Sequence, residues 1–260
     1  MGQPKDDDAR LTKKILDYVR ERPRWGYRRI AQLLRRSGEL INVKRVYRLW
    51  KAAGLKVPRK RRGKRAIGQL VNACHLQPAG FRNDVWSWDF VQASTVGNKT
   101  IRFLNIVDEY TRVCLSIKAS RSITSEDAID TLAELFAMHG VPKRIRSDNG
   151  PEFISAAIKR WLSSLGIEVL YIEPGSPWQN GVCESFNSKL RDEYLSQTEL
   201  LNEHDARLKA RAWKQDFNEQ RPHSSLGYLT PSEFARRCGD SSPLAPPNLH
   251  NIMATPLPTT

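Results

Sequence analysis

Three acidic side chains stand where they could surround one reacting phosphate: Asp89, Asp148 and Glu184. Asp89 lies inside the aromatic run Trp-Ser-Trp-Asp-Phe, which is typical of a buried strand. Asp148 follows a short apolar stretch at the turn-forming pair Asn149 and Gly150, and Glu184 lies early in a predicted helix. Acids on three separate elements, each beside a turn or aromatic packing, indicate a metal site for phosphoryl transfer.

The donor atoms of this set are carboxylate oxygens without His or Cys partners, which favours Mg²⁺ or Mn²⁺ over zinc. We expect two ions ~4 Å apart, which activate the attacking oxygen and stabilise the leaving oxygen. Asp89 is predicted to bridge both ions, with Asp148 completing one coordination sphere and Glu184 the other. A single acid at a strand end is more often a cap or turn residue, and Asp108 is interpreted in that way.

The elements around these acids follow the order of a ribonuclease-H-like α/β fold, a mixed five-stranded sheet with flanking helices. Three strands come first, followed by helix, strand, helix, strand and helix. Alternation along the first strand puts Asp89 on the face opposite Trp88 and Phe90. The predicted strands are 85–91, 101–107, 112–119, a short one about Ile145, and 167–172. Five helices are predicted in this region. The first follows a cap at Thr124, the second begins at Pro151 and the third carries Glu184. The fourth spans about 203–218, and the fifth follows a capping box at Thr230.

Residues 9–55 predict a small all-α domain that resembles a helix-turn-helix DNA reader. In the third of its three helices, Asn42 can act as the N-cap. The apolar positions of that helix are Val43, Val46, Tyr47 and Trp50. Its basic outer face, predicted to contact DNA, consists of Lys44, Arg48 and Lys51. A basic solvated bundle without DNA contact is the alternative interpretation.

Positive charge is concentrated at the start of the chain. The net charge is +14 over 260 residues, and residues 1–70 contain 22 Lys and Arg against 6 Asp and Glu, which is the whole excess. This asymmetry indicates a polyanionic partner, usually nucleic acid. Seven of the ten residues from 56 to 65 are Lys or Arg, including Arg61 and Arg62. They predict a linker that contacts phosphates without reading base sequence.

Five segments are predicted. They are a helical domain at 1–55, a basic linker at 56–80, an α/β core at 81–200, a helical extension at 201–239 and a disordered Pro/Ser/Thr-rich tail at 240–260. The four cysteines, which lack any CxxC pair, are interpreted as reduced packing thiols: Cys74, Cys114, Cys183 and Cys238. Since neither a signal peptide nor an apolar run of ~18 residues is present, we expect an intracellular protein without a membrane partner.

In their order along the chain, these motifs resemble the transposases of bacterial insertion sequences of the IS-three type (second reading frame), which share the DDE core of retroviral integrases. The resemblance is carried by 24–30, 43–49, 147–153, 176–187 and 218–223. The 35 residues between Asp148 and Glu184 match the family's spacing, and Arg191 supplies its basic residue seven positions after the glutamate.

Further site residues are interpreted with this resemblance in view. Arg191 shares a helix face with Glu184, so we expect it to bind DNA phosphate, with a simple helix salt bridge as the alternative. Trp178 is predicted to stack on a DNA end, although packing is an alternative, and His223 is predicted to contact a strand. Four residues are interpreted as turn-shaping, the first pair aiming Asp148 and the second shaping the loop before Glu184: Asn149, Gly150, Asn180 and Gly181.

The resemblance implies metal-dependent cleavage at the ends of an insertion sequence, followed by transfer of the 3′-hydroxyl into target DNA. It implies double-stranded DNA as partner, a homo-oligomer on DNA, and a cytoplasmic, nucleoid-associated location in a bacterium. An upstream reading-frame product or fusion is a further expected partner, since no end-recognition module or heptad zipper precedes Ala9. Two alternatives stay open, a structure-selective DNA nuclease on the same fold and an inactive DNA-binding relic.

Overall fold

The computed structural model describes residues 4–58, 78–147, 150, 153, 155–172 and 180–239. The chain forms two compact units. The helical unit comprises Met1–Cys74 and Arg221–Leu229, and the core unit comprises His75–Gln220 and Thr230–Thr260. Several predicted features lie outside the described residues: Arg61, Arg62, Cys74, Asp148, Asn149, Trp178 and the tail 240–260.

Three helices build the helical unit: α1 Pro4–Glu21, α2 Tyr27–Arg36 and α3 Val43–Ala52. The predicted cap of α3 is confirmed, since the Asn42 side chain accepts the backbone N–H of Lys44 at 2.8 Å. The predicted apolar stripe is wrong at one position. Tyr47 is 48% exposed and contacts Tyr27 with the two rings tilted and their centroids 4.8 Å apart, and Leu49 is buried in the unit's core instead.

The core unit contains the predicted mixed sheet of five strands. They are β1 Val85–Ser94, β2 Thr100–Asp108, β3 Cys114–Ser120, β4 Arg144–Ser147 and β5 Glu168–Tyr171, in the spatial order β3-β2-β1-β4-β5. The first three strands are antiparallel, and β4 and β5 run parallel to β1. The turn between β1 and β2 contains Asn98 at φ 54°, a left-handed conformation that Asn tolerates well.

The helices of the core unit are α4 Ser125–His139, α5 Ala156–Ser164, α6 Gly181–Leu190, α7 Glu203–Glu219 and α8 Pro231–Arg237, and a π-helical turn, Arg191–Leu195, extends α6. Capping boxes at Thr124 and Thr230 begin α4 and α8, as the sequence predicts. The predicted start of α5 at Pro151 is wrong. The side chain of Ser155 caps this helix by accepting the N–H of Ile158, and α5 begins after it.

The two faces of the sheet carry different helices. On the first face, Trp86, Trp88, Leu104 and Ile106 pack with residues of α4 and α5. On the second face, β1 and β2 side chains pack with α6 and α7 in one cluster that includes Val91, Phe103, Val107, Phe186 and Phe217. Asp89 has the alternation parity of Val91 and therefore belongs to the second face, beneath α6.

The described cysteines agree with a packing role. Cys114 and Cys183 are buried free thiols, and Cys238 is a partly buried one. Burial raises the pKa of Cys114 to about 12, and burial together with the nearby charge of Asp89 raises the pKa of Cys183 well above its usual range. Both groups are therefore neutral at physiological pH and poorly nucleophilic. Among the described residues, every helix is too short or too polar to cross a membrane.

Candidate active site

The carboxylate of Asp89 is held from two sides. Its Oδ2 accepts a hydrogen bond from Nδ2 of Asn187 at 2.7 Å, and its Oδ1 accepts the backbone N–H of Phe90 at 2.7 Å. Asn187 belongs to α6, so this contact joins the middle of β1 to that helix. Two hydrogen bonds to different oxygens restrict rotation of the carboxylate about its Cβ–Cγ bond.

Glu184 lies one helical turn before Asn187 on the same helix. Three residues of α-helix advance by about 4.5 Å along the axis, and positions i and i+3 share a face. Glu184 is exposed and stands in the first turn of α6, where the helix dipole favours negative charge. The contact between Asn187 and Asp89 therefore holds the helix that carries Glu184 against the strand that carries Asp89.

A second amide supports the first from the neighbouring strand. Asn105 lies on β2 directly opposite Asp89, and its Nδ2 donates to Oδ1 of Asn187 at 2.7 Å. Asn105 and Asn187 expose 0% and 1% of their surface. Asn105 is not among the residues predicted from the sequence, although the sequence carries a signal for it. Asn is disfavoured in strand interiors, and its neighbours on this face, Phe103 and Val107, are apolar.

An aromatic stack lies under β1 on the opposite face of the sheet. The ring of Phe153 stacks on Trp88 and on Phe90, with centroid separations of 4.3 and 4.9 Å. The guanidinium of Arg102 lies 4.2 Å from the centre of the Phe90 ring. Because Trp88 and Phe90 flank Asp89, and Phe153 follows Asp148 by five residues, the stack ties together the two chain segments that carry these acids.

Strand β4, which leads to Asp148, is fixed by buried ion pairs. Arg146 Nε donates to Glu109 Oε1 at 2.8 Å, and Arg144 Nη2 donates to Asp84 Oδ1 at 2.7 Å. All four side chains are nearly inaccessible to solvent. Burial raises the pKa of Glu109, and the charge of Arg146 and its hydrogen bond oppose that shift.

Asp108 is a turn residue, in agreement with its interpretation from the sequence. It pairs with Trp86, three positions before Asp89 on β1. Its carboxylate accepts the N–H groups of Asn83 and Thr111 and the Thr111 hydroxyl. Burial raises its pKa, although these hydrogen bonds act in the opposite direction.

The remaining predicted residues near α6 differ in how far the geometry supports them. Arg191 is exposed at the end of α6, and its N–H still bonds the carbonyl of Asn187, so the helical face continues to it. Asn180 precedes α6 but makes no side-chain cap, and a Cβ at Gly181 would meet no atom within 4 Å. Gly150 accepts the N–H of Phe153 at 2.9 Å, which closes a turn after Asp148.

The predicted DNA contacts of the helical unit differ in their exposure to solvent, since those on α3 are exposed and His223 is buried. Lys44 and Lys51 are exposed on α3. Arg48 is also exposed, but its Nη2 donates to Asp8 of α1 at 2.7 Å. His223 is 6% exposed, so its buried ring has little surface to offer to DNA.

The chemistry of the described donors suits a hard cation. Each carboxylate oxygen has two lone-pair sites, so an oxygen of Asp89 that accepts a hydrogen bond can also bind a cation. Carboxylate oxygens from Asp89 and Glu184 are the donors that Mg²⁺ and Mn²⁺ prefer. Within the described ranges no group of three His, Cys, Asp or Glu side chains is close enough to hold a metal, and Asp148 is not among those residues.

Three protein-family models match this chain, one in its N-terminal helical part and two further along the sequence. Residues 5–63 match a family described as HTH-like domain. Residues 82–177 and 165–231 match two families that are each described as Integrase core domain.

Curated relatives come from bacterial insertion elements. A 31.7 kDa uncharacterized protein of insertion element IS407 from Burkholderia multivorans is 38% identical over 91% of this chain and 84% of its own length. A 39.2 kDa uncharacterized protein of IS476 from Xanthomonas euvesicatoria is 37% identical over 86% of this chain and 64% of its own length. Transposase InsD of IS2 from Escherichia coli is 28% identical over 89% of this chain and 80% of its own length.

Solved structures show the same fold at low sequence identity. A chain from the structure of the simian T-cell lymphotropic virus intasome in complex with PP2A regulatory subunit B56 gamma aligns with a TM-score of 0.52 at 22% identity. The alignment covers 69% of this chain and 61% of that one. The HTLV-2 integrase catalytic core domain, solved in complex with magnesium, aligns with a TM-score of 0.50 at 18% identity. It covers 60% of this chain and 99% of that domain.

Proposed function

This chain belongs to the family of insertion-element transposases with an integrase core domain, and we propose that it catalyses DNA cleavage and strand transfer through Asp89, Asp148 and Glu184. In this proposal it cleaves at the ends of its element and joins the exposed 3′-hydroxyl to target DNA. Its substrates are double-stranded element ends and a target duplex.

The observation that carries the proposal is the hydrogen bond between Asp89 and Asn187. It connects the acid of β1 with the helix of Glu184, although 98 residues separate its two partners in sequence. In the proposal the carboxylates of Asp89 and Glu184 serve one site, which a purely DNA-binding protein would not need because DNA is itself an anion. For metal-assisted phosphoryl transfer, converging carboxylates are what the chemistry needs.

Strand β4, which precedes the third acid in sequence, is aligned with β1. Trp86 pairs with Ile145 and Ser87 with Arg146 along the parallel ladder of β1 and β4. We propose that Asp148, which follows β4 in sequence, acts in the same site as Asp89. The buried pair of Arg146 with Glu109 supports this arrangement, because it holds the strand in place two residues before Asp148.

Divalent ions, two in the proposal, would be held by these three carboxylates and would supply activation of the attacking oxygen and stabilisation of the leaving one. The HTLV-2 integrase core, which was solved in complex with magnesium, is consistent with this choice of ion. The protein's own contribution is orientation, since β1, β4 and α6 fix the acids before substrate arrives.

The proposed reaction needs no nucleotide cofactor, because each step forms one bond to phosphorus and breaks another. In the first step water forms a bond to phosphorus at the element end while the bond from that phosphorus to the 3′-oxygen breaks, which leaves a 3′-hydroxyl. In the second step this hydroxyl attacks a target phosphorus in line and displaces the target's own 3′-oxygen. Arg191, on the Glu184 face of α6, is proposed to bind a phosphate beside the reacting one.

The helical unit is proposed to bind duplex DNA with the exposed face of α3, where Lys44 and Lys51 project. Their contacts with phosphate would give affinity and salt dependence. The basic segment around Arg61 and Arg62 would add to both. Assembly as a homo-oligomer on DNA, and an upstream reading-frame product or fusion as partner, belong to the same proposal.

A strand-transfer assay with labelled DNA carrying the host element's end, in Mg²⁺ or Mn²⁺, tests the proposal. We expect joined products from the wild-type chain and none from Asp89→Asn, Asp148→Asn or Glu184→Gln, with DNA affinity nearly unchanged. The matched controls are Asp130→Asn and Glu134→Gln, which remove exposed acids of α4 on the other side of the sheet.

Each outcome of the assay discriminates between functions. Joining that persists in any of the three site variants would refute the assignment of that acid. Cleavage without joining by the wild-type chain would favour the structure-selective nuclease. Binding with neither reaction would identify a DNA-binding relic.

A further inference from the structure

One polar residue interrupts an apolar row on β2. The side chains of Ile101, Phe103 and Val107 lie in the apolar cluster under α6 and α7, and Asn105 has the same alternation parity. Asn105 is fully buried, and in the part of the chain that the structure describes no hydrogen-bond donor reaches its Oδ1. Burial of an amide oxygen without a partner opposes folding, so packing alone gives no reason for Asn at this position.

The hydrogen bonds of this residue lead to the candidate active site. Asn105 Nδ2 donates to Asn187 Oδ1, and Asn187 Nδ2 donates to Asp89 Oδ2, each at 2.7 Å. The two bonds therefore form a continuous chain from β2 through α6 to the carboxylate on β1.

The Asp89 carboxylate determines the direction of these two hydrogen bonds. A carboxylate can only accept hydrogen bonds, so Asn187 must turn its NH₂ group toward Asp89 and its oxygen away. A rotated Asn187 amide would place one oxygen against another. The NH₂ group of Asn105 holds the correct orientation, because it offers a donor where the Asn187 oxygen must lie.

We propose that Asn105 and Asn187 are positioning residues that set the orientation of the Asp89 carboxylate for catalysis. The inference rests on the proposed function of Asp89, and it adds residues that need not touch DNA. Asn187 fixes one carboxylate oxygen and Asn105 fixes the Asn187 amide. The partners of metal-binding groups typically change metal affinity or activity by about 10- to 100-fold when they are removed.

The decisive variant is Asn105→Val, which continues the apolar row with a residue suited to a strand. We expect the strand-transfer rate to fall about 10- to 100-fold while DNA affinity stays within about twofold of wild type. Calorimetric titration with Mn²⁺ alone, in the absence of DNA, should show weaker binding by a similar factor. A strand-transfer rate and Mn²⁺ affinity within about twofold of wild type in folded Asn105→Val would overturn the proposal.

Asn218→Val is the matched control. Asn218 is another buried amide of the core unit, and it pairs with the backbone N–H and C=O of Cys114, both at 2.8 Å. This variant should lower thermal stability and leave the Mn²⁺ affinity of the folded protein unchanged. An equal loss of Mn²⁺ affinity in both variants would show a general packing effect and would contradict a positioning role for Asn105.

An NMR measurement tests the hydrogen bonds from Asn105 through Asn187 to Asp89 separately from the proposed function. In ¹⁵N-labelled full-length protein, the side-chain NH₂ resonance of Asn187 should move in both Asp89→Asn and Asn105→Val. If Asp89→Asn retains joining activity, the catalytic assignment of Asp89 fails, whatever the resonance does. If neither substitution moves the resonance, the proposed hydrogen bonds through Asn187 are refuted, also in the case that Asp89 proves essential for joining.

A second variant keeps the test decisive if Asn105→Val does not fold. Asn187→Asp preserves size but replaces the donor with a second carboxylate facing Asp89. We expect a loss of strand transfer at least as large as that of Asn105→Val. Wild-type activity in Asn187→Asp would exclude any need for a donor at this position.

Discussion

Two ion pairs, one from each unit of this chain, differ in their contact with solvent. In the helical unit, Arg48 of α3 pairs with Asp8 of α1 while 65% and 29% of their side-chain surfaces remain exposed. In the core unit, Arg146 of β4 pairs with Glu109 while only 7% and 5% are exposed. The same types of group are thus left in water where the unit presents a basic surface, and are buried where a strand must be fixed.

The difference in solvent access determines what each kind of pair can do. Exposed pairs contribute about 0–1 kcal/mol and are screened by salt, so a phosphate can replace the acid at little cost. A buried pair is weak evidence of stability in itself, but removal of one partner leaves an uncompensated charge and costs about 3–5 kcal/mol. The exposed pair of α3 with α1 can therefore be exchanged for a phosphate contact, whereas the buried pair of Arg146 with Glu109 must be kept.

The largest effect is expected from breaking the buried pair. Glu109→Gln removes the buried anion that pairs with the Arg146 guanidinium, so the free energy of unfolding should fall by roughly 3–5 kcal/mol. At roughly 2–4 °C per kcal/mol for a unit of this size, the Tm of the core unit should fall by roughly 6–20 °C. Calorimetry of the full chain measures both quantities.

Two further variants sharpen this test. Glu134→Gln removes an exposed acid of α4 and should leave the Tm within about 1 °C, as expected for ordinary surface substitutions. The double variant Glu109→Leu/Arg146→Met removes both charges and should recover much of the lost stability. A Tm for Glu109→Gln no lower than that of Glu134→Gln would show that the buried pair is dispensable.

Features that depend on neighbours in sequence were predictable. The caps at Asn42, Thr124 and Thr230 all use residues within four positions of one another. Strand alternation likewise placed Asp89 opposite Trp88 and Phe90, because the period of two is a property of the strand alone. Element order then predicted the mixed sheet that the structure contains.

Features that depend on distant residues were not predictable. The amides that hold Asp89 and Asn187 come from positions 98 and 82 residues away. The partner of Arg48 lies 40 residues earlier, at the start of a helix that was predicted to begin only at residue 9. Periodicity reports which face of an element is apolar, but it does not report which polar side chains meet once elements pack.

A smaller effect is expected from breaking an exposed pair at α3. Asp8 accepts hydrogen bonds from Arg45 at 2.6 Å and from Arg48 at 2.7 Å. Asp8→Asn should make the Arg48 guanidinium available to phosphate, whereas Arg45 keeps its pair with Asp7 at 2.7 Å. We expect DNA binding to tighten by about two- to fivefold, the equivalent of ~0.5–1 kcal/mol. One additional phosphate contact would also steepen the plot of log affinity against log salt by about 0.9. Fluorescence anisotropy with a labelled duplex at several salt concentrations measures both changes.

Asp17→Asn is the control for net charge. Asp17 lies on the same helix and pairs with Arg20 of α1 at 3.2 Å, so its removal changes the total charge equally without releasing a residue of α3. Equal tightening by Asp8→Asn and Asp17→Asn would attribute the effect to overall charge rather than to the release of Arg48.

The smallest effect concerns acid stability of the helical unit. Glu39 accepts hydrogen bonds from Arg10 at 2.5 Å and from Lys14 at 2.6 Å, which lower its pKa to about 2. A lowered pKa in the folded state gives stability that is complete above the unfolded value of about 4.3 and is lost as pH falls from there toward 2. We therefore expect the indole N–H resonances of Trp25 and Trp50, followed in the full chain, to lose folded intensity over this range. In Glu39→Gln, which does not titrate, the loss over the same interval should be shallower, and an unchanged profile would show that this exposed pair adds nothing to the unit's stability.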